Sequence, residues 1–319
     1  MRRGRAMSVA TTVPERYGSR DESAFEVEDA FEEVRRAGLP SLILDSIRRF
    51  RAADSMSYSR ALGLSAILSL IPALIAVVGF SSVLGSETFR TILRDALQTF
   101  SPGQAGTILD QSLTASNEGW TALWAGIAGM LLSGSIGMVE LERAANNIYG
   151  VREDRPVIRR YALAFFLALT IGVLMLLSLA VIVAGGTVGD AARSGGFLSG
   201  LAGDIWTVAR WPIGVVLIAV AMTVIFKIVP NRDQPPFSWL FSGTTVAVAL
   251  WVGVTWLLSF FYENASGLSQ AYGRLLGIVA LLLWAHLSSV AVLFGMSFAA
   301  ELEARRVQDT NGSGWPRDD

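Results

Sequence analysis

The sequence predicts an all-α integral membrane protein, a polytopic bundle of about six transmembrane helices with both termini in the cytoplasm and an amphipathic outer loop. Of its 319 residues, 52% are hydrophobic and only 17% are charged, whereas soluble domains carry about 25% charged residues. The apolar residues also lie in long uncharged blocks. Basic residues number 26 and acidic residues 27, so a broad nucleic-acid-binding face is not expected.

The spans follow from the stretches between successive charges. A helix needs about 20 apolar residues to cross the hydrocarbon core. Five stretches reach that length outright, and a sixth reaches it if Arg210 and Lys227 extend from its ends toward water. The expected spans are about 61–84, 119–139, 161–187, 206–229, 237–261 and 275–300.

The basic residues are distributed unevenly between the two sides of these spans. With the N-terminus inside, 21 of the 26 basic residues lie in inside segments, as the positive-inside rule requires. No short apolar region followed by a small-residue cleavage site occurs near the N-terminus. We therefore expect a cytoplasmic, partly disordered tail over 1–38, a membrane domain over 39–303 and a second cytoplasmic tail over 304–319.

Two segments outside the spans have amphipathic patterns. Residues 39–51 place four apolar side chains on one helical face beside three arginines. This pattern indicates either an interfacial helix on the inner leaflet or a helix packed on the bundle. The outer loop 87–118 is long enough for two short amphipathic helices, broken at Ser101-Pro102-Gly103.

Small residues and a proline suggest how the first two spans pack. In the second span, small side chains recur at every fourth position, which favours close helix packing. They are Ala125, Gly129, Ser133 and Gly137. Pro72 lies midway along the first span and predicts a kink. Such a kink serves either packing or a polar site formed by the freed carbonyls.

The spans offer little ionisable chemistry. No acidic or basic side chain lies at the centre of a span, and His286 is the one titratable group deep in one. His286 is either a proton or substrate ligand, or a neutral imidazole that hydrogen-bonds across helices. A single histidine and no cysteine give no metal site. No cofactor is expected, since the glycines at 185–189 lack the following lysine of a phosphate-binding loop.

Four motifs resemble the YihY/BrkB family of bacterial inner-membrane proteins, which has also been labelled ribonuclease BN. They are Tyr58-Ser59-Arg60-Ala61-Leu62 with Leu68 to Pro72; Ser135 with Asn146 to Val151 and Arg155; Phe261-Tyr262 through Tyr272-Gly273 to Trp284; and Leu293-Phe294-Gly295. The resemblance covers residues 40–303 and implies a helical domain of about six spans, multi-pass in the bacterial cytoplasmic membrane. The candidate functional residues that it gives, with the histidine discussed above, are Tyr58, Ser59, Pro72, Ser135, Asn146, Tyr149, Arg155, Tyr262, Tyr272, Gly273, Trp284 and His286.

The chain departs from the family pattern at two places. It reads Trp284-Ala285-His286 where the family usually has Trp-Leu-Tyr, and Gly295-Met296-Ser297 where the family usually has Gly-Ala-Glu. A role for that tyrosine or glutamate therefore does not carry over to this chain.

Three functions are compatible with these features to different degrees. The favoured one is translocation of an envelope lipid, small amphiphile or solute; the alternative is a scaffold that binds an envelope protein or a second copy of itself. A ribonuclease is disfavoured because the chain has neither a carboxylate metal cluster nor paired acid and base groups in its spans.

Membrane lipids are the expected partners. A cluster of arginines follows the second span, and basic residues near a membrane surface attract anionic head groups by about 1 kcal/mol each. The candidate contacts are Arg143, Arg152, Arg155, Arg159 and Arg160. The same arginines also fit a role that only fixes topology.

Overall fold

The computed structural model of the protein describes residue 35 and residues 38–84, 119–151, 155–194, 201–264 and 274–312. Within these residues the secondary structure is entirely helical. The helices are α1 (Leu39–Ala52), α2 (Ser55–Leu84), α3 (Gly119–Tyr149), α4 (Val157–Ser194), α5 (Leu201–Ile228), α6 (Phe237–Asn264) and α7 (Arg274–Gly312). Six of them, α2 to α7, are long and apolar enough to cross a membrane, which confirms the predicted all-α bundle of about six spans.

Two helices continue ten or more residues past the ends expected from hydropathy. The region from residue 140 onward, interpreted from the sequence as a loop, is helical to Tyr149. That helix ends at Gly150, whose φ of 69° permits the closing bonds from the amides of Val151 and Gly150 to the carbonyls of Asn146 and Asn147. Similarly, α7 passes the expected start of a tail at 304 without a break. Both extensions are helical because they bury apolar side chains, including Ala144 and Ala304, each 0% exposed.

The six long helices follow one another around the bundle. Each contacts the next in the chain, and α7 returns to pack on α2, so the arrangement closes. The last helix also contacts α1 and α3, which places it nearest the centre.

The pairing of α2 with α3 is antiparallel and depends on small residues. Gly129 lies against Pro72, since a Cβ on the glycine would come within 2.8 Å of the proline Cβ, and Gly137 faces Ser65. Two residues of the predicted stripe, Gly129 and Gly137, therefore pack on α2, whereas Ala125 is exposed. Pro72 lies inside a continuous helix, where its contact with Gly129 favours the packing interpretation of that residue.

The close-packed core lies toward one end of the bundle. There α1, the end of α3, the connection 229–236 between α5 and α6, and residues 293–306 of α7 come together. Residues 293–304 of α7 are buried on all sides except at Phe294. We call this region the polar end, for the charged groups described below.

Several predictions fall outside the described residues. The amphipathic outer loop 87–118, the tail up to residue 34 and the candidate residues Arg152, Tyr272 and Gly273 are among them. Tyr262 lies in α6, but its side chain is not among those described.

Candidate functional site

The polar end buries a set of charged side chains between helices. Burying an isolated charge is costly unless it is paired and hydrogen-bonded, so their partners determine what the region does. We call the set the charged cluster; its members are Arg49, Glu142, Arg155, Arg160, Arg232, Glu301 and Glu303.

One part of the charged cluster fastens α1 to α7. The Nε of Arg49 donates to Glu301 at 3.1 Å, and its Nη1 donates to the carbonyl of Ile148 at 3.2 Å. Arg305 extends the pairing, because it contacts both Glu301 and Asp45 of α1. The short N-terminal helix is thus held on the bundle by charge as well as by its buried Leu42 and Phe50.

A second part holds the connection between α5 and α6. Arg232 of this connection pairs with Glu303 of α7, and the two side chains are 1% and 0% exposed. The guanidinium carbon of Arg232 also lies 4.8 Å from the ring centroid of Tyr149, a cation–π contact. The connection is therefore bound to the ends of both α3 and α7.

A third part joins the α3–α4 connection to the end of α5. Arg155 donates to the carbonyls of Ile228, Val229 and Pro230 at 3.0, 2.8 and 3.0 Å, where a helix end favours a cation. Burial lowers the pKa of Arg155, and the Glu142 carboxylate, 3.4 Å away, opposes that shift.

The candidate lipid-binding arginines therefore divide into two groups. Arg155 and Arg160 both lie against Glu142, at 3.4 and 3.7 Å, inside the polar end. Arg143 is on the surface beside Glu140, and Arg159 is exposed. A carboxylate within α3, which the sequence interpretation assigned to a loop, is the reason that the first two turn inward.

Other motif residues meet at the same end. The side-chain oxygen of Asn146 accepts the backbone amide of Asn231 at 2.8 Å, and Asn147 donates to the hydroxyl of Tyr58 at 3.0 Å. Ser59 and Ser135 instead donate to carbonyls of their own helices, at 2.8 and 2.6 Å. The structure thus brings Tyr58, Asn146, Tyr149 and Arg155 together, whereas the two serines are satisfied locally.

Trp284 and His286 lie elsewhere. They are about 15 residues before Glu301 along α7, which at about 1.5 Å per residue is roughly 22 Å. Trp284 donates to Thr255 of α6 at 3.1 Å. The backbone of His286 lies against Gly63 of α2, and its Nδ1 is buried without a hydrogen bond to any described residue. The expected cross-helix hydrogen bond is absent at that nitrogen among the described residues.

Most residues of the charged cluster were not predicted from the sequence. Glu142, Arg232, Glu301 and Glu303 are not motif residues, and hydropathy treats them as charges at span ends. One signal was available: the run Ala299 to Ala304 continues a helical pattern through two glutamates without a helix breaker.

An apolar groove lies between α5 and α6 on the side next to the polar end. Its volume is about 650 Å³, and its outer walls are open, since Val216 is 59% and Phe241 50% exposed. Valine and alanine form most of the lining, together with two phenylalanines and three threonines. The lining residues are Val215, Val216, Ala219, Val220, Thr223, Val224, Phe237, Phe241, Thr244, Thr245, Val248 and Ala249.

The groove has a polar contact in its wall and a cation at one end. Thr223 of α5 and Thr244 of α6 meet at 3.1 Å between hydroxyl oxygens. Lys227 lies 5.6 Å from the ring centroid of Phe237 and donates to the carbonyls of Gln234 and Pro235 at 2.7 and 2.9 Å. The apolar groove therefore ends beside a positively charged group.

The described residues include no group of three or more histidine, cysteine, aspartate or glutamate side chains that could hold a metal ion. The charged cluster pairs cations with carboxylates and carbonyls across different helices. That arrangement is suited to holding helices together at one end.

Comparison with known proteins gives matches over most of the chain. The family model described as virulence factor BrkB matches residues 46–319. The ribonuclease-like protein YfkH of Bacillus subtilis is 25% identical over 83% of this chain and 96% of its own length. UPF0761 membrane proteins of Xanthomonas campestris and Xanthomonas axonopodis are 27% identical over 82% of this chain, which spans 59% of their length. No solved structure matches the chain.

Proposed function

The chain belongs to the BrkB family of membrane proteins, and we propose that it translocates a lipid or small amphiphile across the bacterial cytoplasmic membrane. The observation that carries the proposal is the groove between α5 and α6, which is apolar, open on its outer side and lined at one end by Phe237, whose ring lies beside Lys227. An acyl chain would lie along the valines, with its polar group toward Lys227 and the polar end.

The physical basis of binding in such a groove differs from that in water. A lipid chain gains nothing from the hydrophobic effect when it leaves other lipid chains, so retention depends on dispersion contacts and shape. Branched side chains along α5 and the ring of Phe241 provide such contacts. The Thr223–Thr244 hydroxyl pair is buried in the wall, where it joins α5 to α6.

The polar end fits the cytoplasmic side in this proposal. Its arginines agree with the positive-inside distribution of the sequence. Because the charged cluster ties α1, α3, α7 and the α5–α6 connection together, that end would remain closed while a lipid moves along the outer side of α5 and α6.

The first test uses a substitution that narrows the groove. We expect Ala249→Trp to slow protein-dependent flipping of a fluorescent phosphatidylglycerol in vesicles of phosphatidylethanolamine and phosphatidylglycerol, measured by dithionite quenching. A reduction of about tenfold corresponds to about 1.4 kcal/mol on the barrier. The matched control is Leu250→Trp, since Leu250 is also exposed but lies outside the groove lining.

The outcomes separate transport from a scaffold role. If wild-type protein gives no flux above empty vesicles, a scaffold becomes the better interpretation. If flux occurs but both tryptophan variants reduce it equally, the groove is not the path. Size-exclusion profiles of both variants must match the wild type, so that a folding defect is not taken for a blocked groove.

We further propose that α1 and the surface arginines contact anionic lipid. The outer side of α1 carries Leu44, which is 55% exposed, beside the exposed Arg48 and Arg51. The link to α2 is only two residues long, so α1 stays near the membrane surface. The pattern of apolar and basic side chains is that of an interfacial helix. Arg143 and Arg159 would add to the same basic surface.

A fluorescent label checks the position of α1. The chain has no cysteine, so Leu44→Cys accepts a single NBD dye. In vesicles with phosphatidylglycerol we expect blue-shifted emission that nitroxide lipids quench. The reference is the same dye on free cysteine in buffer, whose emission is that of a dye in water. Water-like emission of the dye at position 44 would place α1 clear of the bilayer.

A further inference from the structure

The helix on one side of the groove, α6, is packed backbone to backbone on α7. A Cβ on Gly243 of α6 would come within 2.6 Å of the carbonyl oxygen of Gly295 in α7. In turn α7 lies close against α2, since a Cβ on Gly63 would come within 2.9 Å of the Cα of His286. The helices α2, α3, α6 and α7 are thus joined at glycines into one unit.

The helix on the other side of the groove, α5, is packed on α4 instead. The Ser178 hydroxyl of α4 donates to the carbonyl of Gly214 in α5 at 3.0 Å, and a Cβ on that glycine would come within 2.5 Å of the Ile182 side chain. In a membrane, close approach at small residues and interhelical hydrogen bonds are what hold helices together. The helices α4 and α5 therefore form a second unit.

The contact between the two units along the groove, which we call the seam, is made by side chains. Ile218 and Met222 of α5 pack on Val248 of α6, and the Thr223 hydroxyl meets that of Thr244. Lipid chains are as apolar as these side chains, so they replace such contacts at little cost. The seam is therefore the side of the groove where the helices separate most easily.

One end of the seam is fixed. Lys227, near the end of α5, donates to the carbonyls of Gln234 and Pro235 at 2.7 and 2.9 Å. Arg232 of the same connection forms its buried pair with Glu303 of α7, and breaking such a pair is costly because it leaves a charge without its partner. Separation of α5 from α6 must therefore pivot about the α5–α6 connection.

We propose that the seam is a lateral gate, in which α4 and α5 swing together away from α6 about the α5–α6 connection, a hinge movement of two rigid units. The inference rests on the proposed lipid transport and supplies the movement that admits a polar head group. Thr223 and Thr244 are 9% and 0% exposed, so their hydroxyls meet a lipid only when the seam is open. They then provide the polar contact within an otherwise apolar wall.

Distance measurements on the full chain test the gate without a transport assay. The chain has no cysteine, so spin labels on Leu177→Cys of α4 and Ile278→Cys of α7, whose side chains are 50% and 57% exposed, report between the two units by double electron–electron resonance. In nanodiscs of phosphatidylethanolamine and phosphatidylglycerol we expect two distances, the longer one from the open seam. The matched control, Trp124→Cys of α3 with Ile278→Cys, lies within one unit and should give one distance. A single distance for both pairs would overturn the gate.

A reversible cross-link tests whether transport needs the movement. The hydroxyl oxygens of Thr223 and Thr244 are 3.1 Å apart, so the sulfurs of Thr223→Cys with Thr244→Cys come within reach of a disulfide, whose S–S bond is about 2.05 Å. Oxidation should slow flipping of the fluorescent phosphatidylglycerol at least about tenfold, or about 1.4 kcal/mol on the barrier. Dithiothreitol should restore it, and the reduced form of the same variant is the baseline.

A second disulfide is the control for cross-linking itself. A Cβ on Gly137 would lie 3.6 Å from the Cβ of Ser65, within the range of about 3.5–4.5 Å found in disulfides. Oxidised Ser65→Cys with Gly137→Cys joins α2 to α3 within one unit and should leave flux unchanged. Equal flux before and after oxidation of the seam variant would contradict the gate and leave transport standing. Absence of flux in the wild type would instead contradict the transport proposal, and the spin-label distances would then decide the gate.

Discussion

Replacing Glu303 with alanine should lower the free energy of unfolding by about 3–5 kcal/mol, the usual cost of leaving one partner of a buried ion pair behind. The substitution strands the Arg232 guanidinium, whose side chain is 1% exposed, next to the Tyr149 ring. It also releases the α5–α6 connection from α7. Denaturant unfolding of the purified protein in detergent, followed by tryptophan fluorescence, measures the loss.

Two further variants show whether the buried charge is the cause. The double substitution Arg232→Met with Glu303→Leu replaces the pair by apolar side chains of similar size and should recover most of the loss. Arg143→Ala removes the surface pair with Glu140, whose side chains are 46% and 26% exposed, and should cost about 0–1 kcal/mol. A Glu303→Ala cost no greater than that of Arg143→Ala would show that the buried pair does not hold the polar end.

The helical bundle could be predicted because the bilayer restricts what a spanning segment can be. Backbone groups in lipid must be satisfied within the helix, so an uncharged apolar block of sufficient length has one structural outcome. The residues at which the helices end were predicted less accurately. Hydropathy ended the second span near residue 139, yet Glu140, Glu142 and Arg143 are good helix formers and the helix continues to Tyr149.

The Arg49–Glu301 and Arg232–Glu303 pairs of the charged cluster could not be predicted because their partners are distant in sequence. Arg49 and Glu301 are 252 positions apart, and each is individually interpreted as a charge that reaches water from a helix end. Only the packing of α1 and α7 shows that they face one another. By contrast, Asn146, Tyr149 and Arg155 lie within ten residues in sequence, and their motif indicated a shared site before the structure did.

The small-residue stripe was predicted in part, and the structure identifies its tightest point at a residue the stripe did not include. A Cβ on Gly126 would overlap the backbone of Ala76, and one on Gly79 would overlap the backbone of Leu123. Backbone atoms cannot rotate away as a side chain can, so any larger residue at these positions must separate α2 from α3.

Gly126→Val should therefore be among the most damaging apolar substitutions in the chain, with a loss of at least about 1–3 kcal/mol, the usual range for overpacking. Alanine substitutions should follow a graded order. Gly126→Ala should lower the stability most. Gly129→Ala should lower it less, because its Cβ meets a proline side-chain carbon at 2.8 Å, and Gly137→Ala least, because the Ser65 side chain is 3.6 Å away. Thermal unfolding in detergent gives the ranking.

Gly172→Ala is the control, because it should raise the stability rather than lower it. Gly172 lies inside α4, and no atom stands within 4 Å of the position that a Cβ would take there, so alanine should stabilise the helix by about 0.5–1 kcal/mol through backbone entropy. If Gly126→Ala also stabilised the protein, helix propensity rather than contact would govern these glycines. The close approach of α2 and α3 would then not depend on a missing side chain, and the packing role of Pro72 against Gly129 would lose its support.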